Sequence, residues 1–198
     1  MAFLRSLLLL LGLLLTARGR RPLPTQSPLD KVPAQEGFSL PQLAGKWFLV
    51  SVASRCNHLA EHSHQLDATT AMVSVDGESL AISTLKKLHG MCWEIRQRYL
   101  PAQAPGRFLL KGRGHSSKVD VVVGEMDPSS FAILYYQKDQ SVSVKLYGRT
   151  SQVSDAVVDK FERHVRAVGL SEDVTYYFPT YGFCNSTDKF HVLDETKL

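Results

Sequence analysis

Only three cysteines occur in these 198 residues, Cys56, Cys92 and Cys184. That is too few for a disulfide-stapled scaffold, and the odd count leaves one thiol over in any exported chain. Neither sign of charge dominates: 23 Lys and Arg stand against 19 Asp and Glu, which gives no electrostatic footprint for nucleic acid. No apolar run reaches the roughly 20 residues that a membrane-crossing helix needs. Also missing are a Ser-His-Asp set, paired acids of a catalytic kind and glycines spaced to cradle phosphate.

What is present begins with a secretion signature. Residues 1–19 carry Arg5, a leucine-rich run from Leu7 to Leu15 and the small-residue exit Ala17-Arg18-Gly19, the pattern of a cleaved signal peptide. The mature chain is expected to start near Arg20 and to be soluble and extracellular, with Lys and Arg exceeding Asp and Glu by two. Five prolines (Pro22, Pro24, Pro28, Pro33, Pro41) then crowd residues 20–41, predicting a flexible leader. Residues 42–198 are enough for one domain with a sizeable core.

From Gly45 to Tyr147 the chain reads as short β-type segments: Trp47 to Ala53, Asp67 to Val75, Leu80 to Leu85, Cys92 to Tyr99, Arg107 to Lys111, Lys118 to Glu125, Phe131 to Gln137 and Val142 to Tyr147. Turn residues separate them, among them Asp76-Gly77, His89-Gly90, Pro105-Gly106, the stretch 112–117 and Asp127-Pro128. Eight strands with short links predict an antiparallel up-and-down sheet that can close into a barrel. Alternation puts Trp93, Ile95, Gln97 and Tyr99 on the inner face of their strand, and Cys92, Glu94, Arg96 and Arg98 on the outer. The same rhythm in Phe131, Ile133, Tyr135 and in Val142, Val144, Leu146 predicts one buried face. Val73, Val75, Ile82, Val144 and Tyr135 are expected to line the interior. Ser154 to Leu170 has helical spacing in Val157, Val158, Phe161, Val165 and Val168, with Gly169 as its stop. One amphipathic helix should pack outside the barrel. A last extended piece, Val174 to Phe178, leads to Cys184 and a polar tail.

Gly45-Lys46-Trp47 opening the first of eight strands, Arg149 just after the last, and a single helix beyond it resemble the lipocalin family. The family's Thr-Asp-Tyr turn survives only as Met126-Asp127-Pro128. The resemblance implies that Gly45, Trp47 and Arg149 close one end of the barrel, with the arginine stacked on the indole. Ser83 to Trp93, Phe108 to Leu110, Ser143 to Tyr147, Tyr177 to Cys184 and Phe190 to Glu195 are most similar to members that serve as subunits of the terminal complement assembly. Carrier members share an unpaired cysteine after the first strand and a run like Lys145 to Arg149, but lack a tail like Phe190 to Glu195.

Three cysteines allow three pairings. Cys92 with Cys184 fits the strand faces and is a bond common in lipocalins. Cys56, in the polar stretch from Ser54 to Gln65, is then the odd sulfur. The resemblance implies an interchain disulfide from Cys56 to a larger complement chain, the alpha chain of the same component, with no membrane insertion by this chain itself. The competing expectation is a free carrier of small hydrophobic ligands. His58 stands near Cys56 but no catalytic set accompanies it, so no enzyme is expected. Cys56, His58, His62 and His64 are residue types that zinc accepts, yet their spacing offers no closed tetrahedral site, so no metal or cofactor is expected. Asn185-Ser186-Thr187 is an acceptor sequence for an N-linked glycan.

Overall fold

A computed structural model describes residues 28–111 and 118–197. The predicted signal peptide, the first part of the leader (20–27) and the turn expected at 112–117 lie outside the described residues. Eight strands form the body: β1 (Gly45–Ser54), β2 (Thr70–Asp76), β3 (Ser79–Leu88), β4 (Met91–Pro101), β5 (Arg107–Lys111), β6 (Lys118–Asp127), β7 (Phe131–Lys138) and β8 (Ser141–Gly148). Each pairs antiparallel with the next, and β8 returns to β1 with Phe48 opposite Gly148, so the barrel closes as expected. Closure removes the free edges that an open sheet would expose.

The closure is tight at one end and splayed at the other. Only Gly45 to Phe48 of β1 pair with β2, and only Tyr99 to Pro101 of β4 pair with β5. The backbone edges this leaves are taken up by the tail. A short strand β9 (Thr175–Tyr177) runs antiparallel to Ser51 to Ala53, and β10 (Val192–Asp194) runs parallel to Glu94 to Arg96. The tail therefore completes the sheet instead of trailing as a polar extension.

Among the described residues three α-helices accompany the strands: α1 (Leu40–Leu43), α2 (Asn57–His62) and α3 (Asp155–Ala167). Ser39 and Gln42 form a capping box on α1, satisfying two orphan donors reciprocally. The helix α3 buries Phe161 and Val165 against the outer wall. They meet Ile133, Tyr135, Val144 and Leu146, which point away from the barrel interior. The inner set, among them Trp47, Leu80, Phe108, Val121, Leu134 and Tyr136, fills the closed half.

Strand β7 is consequently buried on both faces from Phe131 to Gln137, where alternation predicts one. Its small and apolar residues serve two cores at once, so no polar face exists to mark the outside. This corrects the expected cavity lining: Val144 and Tyr135 lie beneath the helix, and Val75 is 41% exposed at the end of β2. Val73 and Ile82 do face inward.

The leader expected to be flexible through Pro41 is packed from Pro28 onward. Leu29 is 1% exposed and joins the core beneath α3. The guanidinium of Arg107 donates to the carbonyls of Leu29 and Val32 at 3.1 and 2.5 Å, and Gln35 N–H donates to Val123 O at 2.8 Å. Pro28 and Pro33 have no N–H to satisfy, so chain anchored largely through its carbonyls suits them.

Candidate functional site

At the closed end, Arg149 makes four main-chain contacts. Its guanidinium donates to the carbonyls of Pro128 (2.8 Å), Lys46 (3.0 Å), Ala44 (2.9 Å) and Gln42 (3.3 Å). Its carbon lies 3.6 Å from the centre of the buried Trp47 ring, and the indole N–H donates to Leu43 O at 2.8 Å. Gly45 is held at φ +100°, and a Cβ there would stand 3.1 Å from Arg149 Nη1. The turn after β6 is shaped by Asp127, which accepts from the N–H and hydroxyl of Ser129. These groups pack together as the seal of that end.

Above the seal, three tyrosines cross the interior. Tyr99 and Tyr136 hydroxyls are 3.0 Å apart, and Tyr136 and Tyr147 hydroxyls 3.5 Å. Burial pushes Tyr99 and Tyr136 well above the ordinary tyrosine range, so both stay neutral hydrogen-bonding groups. Below them only about 30 Å³ of void is left. Above them the barrel widens into a cavity of about 920 Å³ bounded by the first loop, β3, β4 and β8. That volume lies within the range of small-molecule sites.

The cavity has apolar walls, among them Leu49, Val52, Leu66, Ile82 and Ile95, but is more basic than expected. Lys86, Lys87 and Lys145 line it together with His58, His62, His64 and His89, and among the described residues Asp67 is its one carboxylate. Sequence reasoning missed Lys86 and Lys145. The signal was available on β3, where Lys86 is in phase with Leu80, Ile82 and Thr84. It was hidden on β8, where Val144 and Leu146 claim the buried face and Lys145 falls on the opposite one.

Cys56 is the N-cap residue of α2, whose His58, Leu59 and His62 line this cavity. It is exposed and unpaired among the described residues. Its N–H donates to Ser54 Oγ at 3.3 Å, and its carbonyl accepts from Leu59 and Ala60 at 3.0 and 3.2 Å. The polar stretch thus holds its cysteine at the start of a short helix. The rings of His58 and His62 stack with centres 4.4 Å apart. No group of three or more His, Cys, Asp or Glu among the described residues is placed to hold a metal ion.

Cys92 and Cys184 form a disulfide with Cα atoms 5.7 Å apart. Cys92 is on the outer face of β4, and the bond fixes the tail beside β10. Asn185 is exposed next to the buried Cys184. Thr187, the third residue of its acceptor sequence, donates its hydroxyl to Cys92 O at 2.9 Å.

A closed eight-stranded calyx with an arginine-capped tryptophan at its base and one outer helix defines a lipocalin. The Lipocalin / cytosolic fatty-acid binding protein family model matches residues 44–181, and the chain belongs to this family. Membership makes it a binding protein and not an enzyme. Among individual relatives, it is 41% identical over 199 residues to complement component C8 gamma chain from Oryctolagus cuniculus, covering 98% of both chains. Protein AMBP of Pleuronectes platessa is 32% identical over 89% of this chain and half of that protein. Neutrophil gelatinase-associated lipocalin of Rattus norvegicus is 31% identical over 77% of this chain and 81% of that protein. The solved structure of the siderocalin Ex-FABP superposes with a TM-score of 0.63 over 74% of this chain and 96% of that one, at 18% identity. That last likeness concerns the fold alone.

Proposed function

We propose that this chain is the lipocalin subunit of an eighth complement component, held by a Cys56 disulfide to the component's alpha chain and so part of the terminal, membrane-attacking assembly of innate immunity. In this reading residues 1–19 are removed on secretion, the mature chain acts outside the cell, and it inserts no segment of its own into the membrane. The observation that carries the proposal is the full-length likeness to the C8 gamma chain, from end to end and not over the barrel alone. Cys56, exposed and unpaired among the described residues at the start of α2, supports it, because an oxidising compartment favours bonding of an odd accessible thiol.

The rim and α2 would form the interface, with the disulfide making a larger non-covalent contact permanent. The cavity volume and the likeness to AMBP and neutrophil lipocalin support a second reading, a free carrier of small ligands. Non-reduced mass spectrometry of the protein from its native fluid separates the two. A Cys56 peptide joined to another chain establishes the subunit and identifies its partner. A free or small-thiol-capped Cys56 sinks the subunit reading and leaves the carrier.

A further inference from the structure

The acceptor sequence Asn185-Ser186-Thr187 is tied down on either side by one residue of β4. Just ahead of it, the buried Cys184 is bonded through its sulfur to Cys92. At its far end the half-buried Thr187 donates its hydroxyl to the carbonyl of the same Cys92 at 2.9 Å. The chain is pinned again beyond Thr187. The carboxylate of Asp188 accepts from the N–H groups of Phe190 and His191, and Glu94 N–H donates to His191 O at 2.9 Å, where β10 begins its pairing with β4. Between these anchors Asn185 and Ser186 are exposed.

What a glycan needs and what the enzyme that attaches it needs are therefore met at different times. A bulky, solvated sugar on the exposed Asn185 side chain is compatible with the finished fold. Transfer is specific for Asn-x-Ser/Thr, so the enzyme must take up the carboxamide and the hydroxyl two residues on together. In the finished fold that hydroxyl is engaged by Cys92 O, and the residue beside Asn185 is covalently fixed to β4. Local opening frees a hydrogen bond but leaves a disulfide intact. We propose that Asn185 carries an N-linked glycan that is added before Cys92 and Cys184 join, and that closure of their disulfide ends acceptance. In the transfer, the bond from Asn185 Nδ2 to C1 of the first sugar forms and the bond from C1 to the oxygen of a lipid pyrophosphate breaks. The carboxamide proton goes to base and the lipid pyrophosphate leaves. Closure then passes two thiol protons and two electrons to the disulfide of an oxidoreductase, which departs as a dithiol. The inference rests on secretion, one part of the reading above, and not on Cys56 or on any partner.

The test has a cellular arm and a purified one. The other asparagine, Asn57, is followed by His58-Leu59 and is no acceptor, so any N-linked glycan reports Asn185. The full chain is expressed in secreting animal cells, and the mass of the intact protein is read before and after peptide N-glycosidase. Wild type in the medium is expected to carry the glycan, and Asn185→Gln to lack it. Cys92→Ser, which leaves the acceptor and its neighbours unchanged, should be glycosylated to an equal or greater extent, measured in whole-cell extract so that poor folding does not hide it. In the purified arm, unglycosylated chain from Arg20 onward is given oligosaccharyltransferase and dolichyl-pyrophosphate-linked chitobiose. The oxidised chain should be modified about tenfold or more slowly than the same chain held reduced, because its anchored tail presents the acceptor only in rare openings. Secreted wild type without a glycan, equal rates for oxidised and reduced chain, or a lower occupancy in Cys92→Ser than in wild type would each overturn the proposal while leaving secretion in place. Chain kept inside the cell with residues 1–19 still attached would overturn secretion and the glycan together.

Discussion

Arg149 covers the ring of Trp47 at 3.6 Å while donating to main-chain carbonyls of Gln42, Ala44, Lys46 and Pro128. One planar cation thereby ties α1, the start of β1 and the turn after β6 to the end of β8. A lysine at this position keeps the charge but not the fork of donors that reaches several acceptors at once. Arg149→Lys is expected to lower unfolding stability by about 2 to 4 kcal/mol, the scale of losing hydrogen bonds to a charged group in a shielded place. Urea unfolding followed by the fluorescence of Trp47 and Trp93 together measures it, and a loss below about 0.5 kcal/mol, the scale of an ordinary surface change, would show that the seal is not structural.

Gly124 is the extra residue of a bulge between β6 and β7, where the register shifts between Val123 and Glu125. A Cβ on it would lie 2.4 Å from Tyr135 Cε2. That ring is nearly inaccessible and is held by a 2.5 Å contact between its hydroxyl and His164 Nδ1. Gly124→Ala should therefore cost about 1 to 3 kcal/mol, as overpacking does when the neighbour cannot move aside. Gly124→Ala combined with Tyr135→Phe, which frees the ring from His164, should couple non-additively in a double-mutant cycle. Strict additivity would separate the clash from the ring.

Much of the architecture was legible because period-two alternation and turn chemistry survive in a closed barrel. All eight strands occur where their Val, Ile, Tyr and Phe runs fall; β5 has the expected bounds, and the other ends lie within three residues of those expected. Legibility failed where a strand serves two cores. On β7 nothing polar separates Ile133, beneath α3, from Leu134, inside the barrel, so face assignment from pattern had no contrast to use. The packing of residues 28–41 was hidden for another reason: proline content reports backbone freedom, not the Arg107 donors waiting for the carbonyls of Leu29 and Val32. Cys56 could be singled out by counting. The Lys86 and Lys145 cluster could not, since it exists only once β8 closes on β1.

Glu125 provides a pH test. Burial pushes its carboxyl upward, but hydrogen bonds from Lys160 and His164 outweigh this and hold it below the usual glutamate range. A folded-state pKa below the unfolded one means stability that is present above the unfolded value and lost as pH falls through the folded value. The wild type should be more stable than Glu125→Gln at neutral pH, with the gap closing below about pH 4.3, the ordinary glutamate value. Melting temperatures of both proteins from pH 7 to pH 3 give the comparison. A gap that widens on acidification would mean that the carboxylate is not stabilised by its neighbours on α3.

The disulfide from Cys92 to Cys184 spans 92 residues. On the chain-entropy model a loop of this length constrains the unfolded state by about 4 to 5 kcal/mol. Replacing both cysteines with serine should lower stability by up to that amount. It should also expose the amides of β10 to hydrogen exchange before those of β2, since among the described residues β10 makes its sheet pairing only with β4. Exchange rates at Val192 to Asp194 that match the barrel's would show the tail to be held by its own contacts, such as Thr187 to Cys92 O.

Cys56 distinguishes tether from interface. Its side chain is exposed and α2 is anchored through main-chain bonds to its carbonyl, so serine can replace it without disturbing the fold. Under the subunit reading, Cys56→Ser removes the covalent link, seen as separation of the chains on a non-reducing gel, and leaves docking measurable by co-purification at physiological salt. The reason is scale: specific interfaces bury on the order of 1,600 Å², and one exposed sulfur is a small part of that surface. His62→Glu and Leu59→Glu on the same helix place charge on the rim without touching the sulfur, and should weaken docking while still allowing the disulfide to form slowly. If Cys56→Ser abolished docking and the α2 substitutions did not weaken it, the contact would be the disulfide alone, and the rim would not be the surface that recognises the partner.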